Sequence, residues 1–421
     1  MEKITAIKGI KDILPQDSPA WNQIETAARR IFGDFGFREI RVPIMEKTEL
    51  FKRSIGETTD IVEKEMYTFT DRDDELITLR PEATACVIRA YIEHNMHNYE
   101  QVTKLYTLGP MFRRERPQKG RFRQFHQINA EALGDEQPQC DAEIIFMLVN
   151  FLRFVGLNDF SLEINSLGCK YCRPTFSRDI VAHLSSVEKN LCTNCQRRIR
   201  TNPLRVFDCK VDSCGEVIAN APNILSYLCS HCDEHFKLVR TFLEDLKVSY
   251  TVNSKMVRGL DYYTKTAFEV TSSNLGAQNA LAGGGRYDGL VSSLGGPNVT
   301  GIGFAVGMER LMASLPRKQE HDYQTDIFIA ALCEKAQKIA FLLTNELRSS
   351  GIKAQTDYTA KSLKSQMKRA DKLNSSYTLI IGDNELEDKK VQLRDMKAKN
   401  QISLPLDNLT EAIKNIFKEK S

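Results

Sequence analysis

The sequence predicts an α+β protein, with an antiparallel-sheet core, a cysteine-rich insertion and a smaller α/β domain at the C-terminal end. Residues 1–320 contain short β-type runs separated unevenly by helical stretches, which is typical of an antiparallel sheet rather than of repeated strand–helix units. Most cysteines fall within residues 166–240, which interrupt this core. Residues 325–421 show a regular alternation of strand and helix patterns.

The core is predicted to begin with an amphipathic helix over residues 18–35. Its apolar side chains recur at spacings of three, four and seven: Trp21, Ile24, Ala28, Ile31, Phe32 and Phe35. Gly36 marks the end of this helix. Apolar residues alternate with other side chains over residues 40–44, which predicts a strand, and Pro43 confines that strand to an edge or an end.

Further patterns fill the rest of the chain. The predicted core strands are 66–69, 77–79, 104–108, 124–130, 160–164, 267–270 and 303–305, and the predicted core helices include 83–95 and 141–155. A polar stretch with a proline, residues 314–324, is predicted to be a linker. In the terminal domain the predicted strands are 327–332, 353–356 and 377–381, and the predicted helices are 334–350, 362–373 and 409–417.

Composition excludes several classes of protein. The chain has 421 residues, of which 42% are hydrophobic and 27% charged, so a mostly disordered chain is excluded. No stretch approaches the roughly 20 apolar residues of a membrane helix, and the N-terminus has no apolar signal core, so we expect a cytoplasmic protein without membrane contact. The net charge of +3 is too small to indicate nucleic-acid binding by itself.

The cysteine cluster is the strongest candidate for metal ligation. Four pairs follow one another: Cys169 and Cys172, Cys192 and Cys195, Cys209 and Cys214, and Cys229 and Cys232. Because a reducing compartment disfavours disulfides, structural zinc with four thiolates per ion is the leading interpretation. Which pairs share an ion stays open, and so does the alternative of reduced thiols without metal. His231 and His235 flank the last pair and are weaker candidate ligands.

A basic segment lies between two β-type runs. Residues 113–123 contain six Lys or Arg side chains and one acid, and phenylalanines flank and interleave them. Arginine suits phosphate oxygens, and aromatic rings can stack on a base. Taken alone, the segment also fits a solvated hairpin loop.

Three further segments carry possible ligand groups. They are VRGLDYY at 257–263, AGGGRYDGL at 282–290 and GIGFAVGMERL at 301–311. The glycines of the second allow a ligand to approach the backbone, although neither a Rossmann nor a Walker pattern is present. The third runs from a strand into a helix that begins near Gly307 or Met308 and carries Arg310 in its first turns. Each alone also fits an ordinary turn or surface helix.

The order of these segments resembles motifs 1, 2 and 3 of the class II aminoacyl-tRNA synthetases. Pro43 ends a helix–strand unit, Arg113 opens a strand–loop–strand unit, and GMERL closes the core. RPEATA at 80–85, GPMFRRERPQKGRFRQFHQ at 109–127, VRGLDYY and AGGGRYDGL resemble the histidyl-tRNA synthetase family. The terminal domain resembles a class IIa anticodon-binding domain.

The resemblance implies a ligase with ATP, L-histidine and histidine tRNA as substrates and Mg²⁺ accompanying the ATP phosphates. It implies a homodimer formed through the Pro43 unit. The reaction has two steps, formation of histidyl-adenylate and transfer to tRNA, and needs no covalent enzyme nucleophile. The zinc ions, if bound, would have a folding role only.

The resemblance also assigns roles to individual residues. The catalytic arginines would be Arg113, Arg258 and Arg310, and ATP would contact these three together with Glu115 and Phe125. The histidine-binding residues would be Glu82, Ala83, Thr84, Gln127, Glu131, Tyr262, Tyr263 and Tyr287. Ala83 departs from the glycine common at this position in the family. The tRNA-binding residues would be Arg116, Gln118, Arg121, Arg123, Lys364 and Lys368, with Lys119 in the same loop as the first four.

Two alternatives remain beside the ligase. One is a synthetase-like regulatory subunit of ATP phosphoribosyltransferase, which lacks the terminal domain and part of the arginine set. The other is a class IIa synthetase for another amino acid. The presence of Arg113, Arg258 and Arg310 disfavours the first, and RGLDYY together with Glu131 disfavours the second.

Overall fold

The computed structural model describes residues 3–57, 59–118, 120–275, 279–316, 324–359 and 361–418. The chain divides into two compact units, residues 1–317 and 318–421. Residues 317–323, most of the predicted linker, lie outside the described residues, as does Lys119. No helix in the described ranges is long and apolar enough to cross a membrane.

The strands are numbered in chain order. They are β1 Arg38–Glu39, β2 Met45–Lys47, β3 Tyr67–Thr70, β4 Leu76–Leu79, β5 Thr103–Phe112, β6 Gln124–Leu133, β7 Ser161–Ser166, β8 Thr251–Val252, β9 Thr264–Thr271, β10 Ala280–Arg286, β11 Gly301–Gly307, β12 Ile327–Ala331, β13 Ala354–Thr356, β14 Tyr377–Ile381, β15 Lys390–Asp395 and β16 Gln401–Pro405.

The helices are numbered in the same way. They are α1 Ser18–Asp34, α2 Thr48–Ile55, α3 Thr84–Glu93, α4 Pro138–Phe154, α5 Arg173–Ser186, α6 Thr193–Thr201, α7 Asp212–Ala219, α8 Ser230–Asp245, α9 Leu290–Ser293, α10 Met308–Ser314, α11 Glu334–Ser349, α12 Leu363–Lys372, α13 Asp383–Glu387 and α14 Leu409–Lys418. Shorter helical turns are Ile61–Glu65, Met96–Asn98, Glu188–Asn190, Pro203–Asp208, Ile224–Tyr227 and Ser273–Leu275.

The first unit is built on an eight-stranded sheet of described residues in the order β1-β5-β6-β11-β10-β9-β7-β8. Every pairing in it is antiparallel except β1 with β5 and β7 with β8, at the two edges. A separate antiparallel sheet has the order β2-β4-β3. The predicted antiparallel α+β core is therefore confirmed.

One face of the large sheet is covered by α1, α4, α8 and α10, which bury apolar side chains against it. Phe32 of α1 contacts Tyr106, Phe151 and Phe304 with ring-centre distances of 5.5 to 5.7 Å. Burying aromatic side chains of this size is a major stabilising contribution. The opposite face is thereby left to hold polar side chains.

The insertion has an apolar core of its own. Helices α5 to α7 bury Phe176, Ile180, Ile199 and Val217, and two cysteines of the cluster lie among them. The last helix, α8, instead packs its apolar side chains into the core of the large sheet. The insertion is therefore a small folded body joined to the core at both ends.

The second unit is a five-stranded sheet of described residues in the order β13-β12-β14-β15-β16. The first three strands are parallel, and β15 and β16 pair antiparallel. Helices α11 and α14 contribute buried apolar side chains to its main core, as predicted for an α/β domain. The pair β15 and β16 was not predicted, because its alternation is short and interrupted by charged residues.

One local prediction was wrong. Residues 40–44 form no strand; the sheet strands β1 and β2 lie on either side of them. The carbonyl oxygens of Val42 and Pro43 accept hydrogen bonds from the Arg80 guanidinium, at 2.9 and 3.3 Å, instead of from a neighbouring strand. The glycines of AGGGR, a segment that taken alone also fits a turn, form strand β10 in the middle of the sheet.

Candidate active site

A cavity opens on the polar face of the large sheet. Strands β6, β10 and β11 form its floor, and the loop before β9, the segment before α3 and the loop between β5 and β6 form its walls. These are the segments that carry the sequence motifs. The antiparallel topology therefore brings together residues that lie more than 220 positions apart in the chain.

The three predicted catalytic arginines all line this cavity. Arg113 lies over the Phe125 ring, 5.3 Å from its centre, and donates a hydrogen bond to the carbonyl oxygen of Pro81 at 2.9 Å. Arg258 pairs with Glu269. Arg310 donates to the carbonyl oxygens of Gly120 and Ala280. Backbone contacts and two ion pairs, Arg258 with Glu269 and a longer one of 4.0 Å between Arg113 and Glu115, thus orient the guanidinium groups and leave their positive charge only partly compensated.

The glycines of β10 and β11 make room for two of the polar side chains. A Cβ atom at Gly283 would lie 2.1 Å from the Arg258 guanidinium, and one at Gly303 would lie 1.8 Å from Glu131. Both distances are far inside van der Waals contact. The glycines are therefore required for close approach of side chains across the strands, which explains why a glycine-rich segment is a strand here.

Glu82 stands at the start of α3 and is buried. Its carboxylate accepts hydrogen bonds from the backbone N–H groups of Thr84 and Ala85, at 2.8 and 2.9 Å. Burial raises the pKa of Glu82, and these two hydrogen bonds oppose the rise. Ala83 is fully buried and does not line the cavity, so its methyl group is accommodated behind the site.

Glu131 lies on the same face of β6 as Gln127 and Asn129, which line the cavity, and is two residues further along the strand. It is 1% exposed, and its oxygens accept hydrogen bonds from Thr84 Oγ1, at 2.7 Å, and from the Tyr287 hydroxyl. Burial raises its pKa to about 8, although both hydroxyl donors lower it. The site therefore holds a carboxyl group poised near neutral pH beside the cavity.

Aromatic rings enclose this end of the site. Tyr262 and Tyr263 line the cavity, with ring centres 4.6 Å apart. Tyr287 packs edge-on against Tyr262 at 5.7 Å and is itself buried behind the cavity. Together with Glu131 these rings form a compartment of mixed polarity, suited to a flat ring that bears N–H groups.

Asn129 was not among the predicted site residues. It lines the cavity between Gln127 and Glu131 on β6, it is 1% exposed, and neither atom of its amide has a hydrogen-bond partner in the described part of the chain. Gln127 Oε1 is also buried without a partner among the described residues. Alternation along β6 was the sequence signal that could have identified Asn129, because residues 127, 129 and 131 share one face.

The loop between β5 and β6 divides its basic side chains between two locations. Arg116 and Gln118 are exposed. Arg121, predicted to meet tRNA, lines the cavity and donates to Glu115 at 2.7 Å. Arg123 is partly buried, and its backbone N–H donates to the carbonyl oxygen of Gly9 at 2.7 Å.

Lys364 and Lys368, the remaining predicted tRNA contacts, lie on α12 in the second unit and are both exposed. Gln366 and Ala370 on the same helix are buried against the sheet. The helix thus separates a buried face from a basic one.

The eight clustered cysteines form two groups of four, in each of which all sulfur atoms lie within 4.8 Å of one another. The first group is Cys169, Cys172, Cys229 and Cys232, and the second is Cys192, Cys195, Cys209 and Cys214. All of them are free thiols. Of the three possible groupings, the fold selects this one.

His235 is not part of either group. Its Nε2 lies 2.9 Å from Asp141, which also pairs with Arg286 at 2.6 Å. Arg286 and Asp141 are both fully buried. The arginine of the AGGGRYDGL segment therefore belongs to a structural charge cluster on the far side of the strand, not to the cavity.

Comparison with known proteins agrees with this architecture. The family model described as histidyl-tRNA synthetase matches residues 9–311, and that described as an anticodon binding domain matches residues 326–416. A histidine–tRNA ligase of Syntrophotalea carbinolica is 52% identical over 97% of this chain and 98% of its own length. One from Desulfosudis oleivorans is 54% identical over 97% of both chains. The crystal structure of apo S. aureus histidyl-tRNA synthetase superposes with a TM-score of 0.82, at 39% identity, covering 97% of this chain and 99% of that one.

The fold and the arginine-lined cavity define a class II aminoacyl-tRNA synthetase. The chain belongs to the histidyl-tRNA synthetase family, over both of its parts. It is a ligase that joins L-histidine to tRNA at the expense of ATP, as the sequence predicted, and not a regulatory subunit or a synthetase for another amino acid.

Proposed function

We propose that Arg113, Arg258 and Arg310 are the groups that bind the phosphates of ATP and stabilise the transition state of adenylation. In this step a carboxylate oxygen of histidine attacks the α-phosphorus, an O–P bond forms, and the bond to the bridging oxygen breaks to release pyrophosphate. Negative charge accumulates on the oxygens around phosphorus. Fixed guanidinium groups in a partly dry cavity stabilise that charge without having to reorganise.

The observation that carries this assignment is the convergence of the three guanidinium groups on one cavity. In the described part of the chain Arg258 pairs with Glu269, Arg113 lies 4.0 Å from Glu115 and Arg310 has no ion pair, and the described cavity lining contains no serine, cysteine or histidine nucleophile. A site of this kind favours substrate-to-substrate transfer. In the second step a ribose hydroxyl of tRNA attacks the activated histidyl carbonyl and displaces AMP.

For the adenine, Phe125 offers a ring face and Glu115 an acceptor for the amino group. Glu115 is at present bound to Arg121. We therefore propose that Arg121 shares Glu115 with the nucleotide and contacts tRNA only at the edge of the site.

We assign histidine to the compartment lined by Glu82, Thr84, Gln127, Tyr262 and Tyr263, with Glu131 and Tyr287 behind it. Glu82 and Gln127 carry the polarity that an ammonium and a carboxylate require. The Glu131 carboxyl, held by Thr84 and Tyr287, would accept the imidazole N–H. An apolar analogue would leave that buried acceptor unpaired, so discrimination against it is strong.

Mg²⁺ suits this site as a companion of the ATP phosphates. Among the residues that the structure describes, three carboxylates line the cavity, and each is already engaged: Glu82 by backbone N–H groups, Glu115 by Arg121 and Glu309 by His126. Mg²⁺ prefers phosphate oxygens and water to a full set of protein ligands. The phosphates would therefore hold it, with these carboxylates nearby, and it would add positive charge at the leaving group.

For tRNA we propose two contact regions. Arg116 and Gln118 on the exposed side of the loop at 113–123 would meet the acceptor end, with Arg123 supporting the loop. Lys364 and Lys368 on α12 would meet the anticodon stem, within an anticodon-binding domain at residues 325–421 that follows a catalytic core at 1–320. Phosphate contacts of this type weaken steeply with salt.

We also propose a homodimer and a cytoplasmic location. The small sheet β2-β4-β3 exposes Met45, Phe69 and Leu76, which are 44% to 56% exposed in the single chain. An apolar patch of this kind next to the Pro43 segment is typical of a subunit interface. The mass of one chain is 47.9 kDa, and light scattering of the purified protein should give twice that mass.

In the insertion we propose structural zinc, held by the clustered cysteines and without a part in the chemistry. Thiolate ligands in groups of four are the usual ligand set of structural zinc.

The experiment that tests the function is ATP–pyrophosphate exchange with each amino acid in turn. We expect exchange with histidine alone. Silence with every amino acid, or equal exchange with a second one, would contradict the assignment of the cavity.

A further inference from the structure

The two cysteine groups have the dimensions of mononuclear tetrahedral sites. A Zn–S bond of about 2.3 Å places two thiolates of a tetrahedron about 3.8 Å apart. The sulfurs of Cys169 lie 3.6 Å from Cys172 and 3.9 Å from Cys229, and Cys192 lies 3.8 Å from Cys209. These distances fit one ion per group and are much longer than a disulfide of about 2.05 Å.

Backbone amides support the sulfurs in a similar way in both groups. The N–H of Cys229 donates to Cys172 Sγ and that of Cys192 to Cys214 Sγ, each at 3.2 Å. Donors of this kind stabilise thiolate ligands. Both groups are therefore arranged to hold a cation rather than four neutral thiols.

The first group, Cys169, Cys172, Cys229 and Cys232, is called the neck site because it joins the chain entering the insertion to the chain leaving it. Arg173 follows Cys172 directly. Its guanidinium donates to the carbonyl oxygens of Leu167, at 3.2 Å, and of Tyr263. The neck site therefore holds a side chain that fixes the backbone of a cavity residue.

The second group, Cys192, Cys195, Cys209 and Cys214, is called the distal site and lies within the apolar core of the insertion. The segment between Cys195 and Cys209 carries Asn202 and Arg205. Asn202 Nδ2 and the Arg205 guanidinium both donate to Asp261 Oδ1, at 3.0 and 2.9 Å. The Arg205 side chain is only 13% exposed.

Asp261 belongs to the loop at 257–263, which contributes Arg258, Tyr262 and Tyr263 to the site. This loop lies between β8 and β9 and has no helix or strand of its own. Side chains from the insertion therefore supply much of what orients it. The insertion is also tied to the segment at 59–65, through Arg198 with Asp60 at 3.0 Å and Arg197 with Glu63 at 3.2 Å.

We infer that the chain binds two Zn²⁺ ions, one at the neck site and one at the distal site, and that the zinc-stabilised insertion positions the catalytic loop at 257–263 through Arg173, Asn202 and Arg205. This rests on the structural zinc and the residue roles proposed above. A small core such as that of the insertion gains much of its stability from metal ligation. Arg205 is a positioning residue, since it contacts Asp261 and not the substrates.

Zinc content tests whether the chain binds two zinc ions. Elemental analysis of the purified full-length protein should find two zinc ions per chain, and one in each of the variants Cys232→Ser and Cys195→Ser. A folded, active wild-type protein without zinc would overturn the metal sites. Two zinc ions that both persist in a variant would show that the substituted cysteine is not a ligand and would overturn that site.

Arg205→Ala tests whether the insertion positions the loop at 257–263. It changes no zinc ligand, so it stays informative even if the cysteine variants do not fold. We expect two zinc ions, an unchanged circular dichroism spectrum, and a fall of about 10- to 100-fold in kcat/KM for histidine in pyrophosphate exchange, since small misplacements of catalytic groups have effects of this size. Arg205→Lys, which keeps one donor and the charge, should recover part of the loss.

Arg200→Ala is the matched control on α6. Its side chain is 80% exposed and lies 3.6 Å from Glu188, away from the cavity residues. Its kinetics should equal those of the wild type. If Arg205→Ala also equals the wild type, the insertion does not position the loop. That outcome is distinct from failure of the proposed function, in which the wild-type protein itself would show no exchange with histidine.

Discussion

Arg286 is the last residue of strand β10, whereas Arg258 approaches this strand from the loop before β9, and the two arginines have opposite roles. Arg286 is fully buried and lies between Asp141 and Asp288, and Asp141 also binds His235. Arg258 has one acidic partner, Glu269, lies across Gly283 and lines an open cavity. The positive charge of Arg286 is compensated within the fold. That of Arg258 joins two other guanidinium groups whose combined charge calls for an anionic ligand.

The two arginines differ both in acidic partners and in access: Arg286 is 0% exposed and has two, whereas Arg258 is 16% exposed and has one. Burying an ion pair costs a large desolvation free energy, which the attraction between well-placed partners offsets. Removing one partner leaves the other charge buried without compensation. A cavity arginine with spare donors is held ready for a substrate instead. The two classes should respond in opposite ways to substitution.

The largest expected effect is that of Arg258→Ala. Histidine-dependent pyrophosphate exchange should fall about 100- to 1000-fold, because a donor to the developing phosphorus charge is lost. The free energy of unfolding should change by no more than about 1 kcal/mol, since Glu269 stays partly exposed at 26% and can be solvated. Kinetics and urea unfolding of the same preparation measure both. A variant of normal activity would remove Arg258 from the mechanism.

Next in size is Arg286→Met. Loss of this partner leaves Asp141 buried at 0% exposure, so the unfolding free energy should fall by about 3–5 kcal/mol. The double variant Arg286→Met with Asp141→Asn should recover part of the loss. Unfolding by urea gives these values. The fraction of the Arg286→Met variant that remains folded should still catalyse pyrophosphate exchange. A fall in kcat with a normal free energy of unfolding would contradict the structural role of Arg286.

The charge state of Glu131 gives a pH-dependent effect. Burial raises its pKa from 4.5 to about 8. The folded state therefore keeps the proton longer than the unfolded state, and the stability that this group contributes is complete below pH 4.5 and is lost as the pH rises to about 8. Glu131→Gln cannot lose a proton, so its melting temperature should rise relative to the wild type between pH 5 and pH 8.5. Parallel curves over that range would show that Glu131 does not titrate there.

Asn129→Ala should have the smallest effect on stability. Its amide is buried without partners in the described residues, so the variant should lose no hydrogen bond and should be as stable as the wild type. The KM for histidine or ATP should rise about tenfold if the amide binds substrate. Gln366→Ala is the control: this amide lies on α12 of the second unit and is buried and bonded to the backbone of Ala331, so its loss should cost about 1–3 kcal/mol without a change in KM for histidine or ATP in pyrophosphate exchange.

The sequence alone predicted the candidate arginines and several of the helices. Arg113, Arg258 and Arg310 stand in long motifs whose order along the chain is distinctive, and the helix that carries Arg310 was expected to begin near Gly307 or Met308; α10 begins at Met308. Amphipathic periodicity located α1 and α4 to within a few residues. Hydrophobic periodicity predicts helices well, because the hydrogen bonds of a helix join residues that are close together in the sequence.

What the sequence did not reveal depends on contacts between distant segments. The sequence left open whether the glycines of β10 form a turn, because they make room for side chains that approach the strand from distant segments. The strand expected at 40–44 was absent, because Arg80 takes the carbonyl oxygens that a neighbouring strand would use. The grouping of the cysteines and the Asp141–Arg286–His235 cluster are likewise products of tertiary structure.

The most direct test of the convergence of the arginines is a crystal structure of the enzyme with a non-hydrolysable histidyl-adenylate analogue. We expect the phosphate group of the analogue to lie within hydrogen-bond distance of the Arg113 and Arg258 guanidinium groups, with the imidazole N–H facing Glu131. An analogue bound with its phosphate away from both arginines, or with its imidazole outside the compartment of Tyr262 and Tyr263, would contradict this expectation.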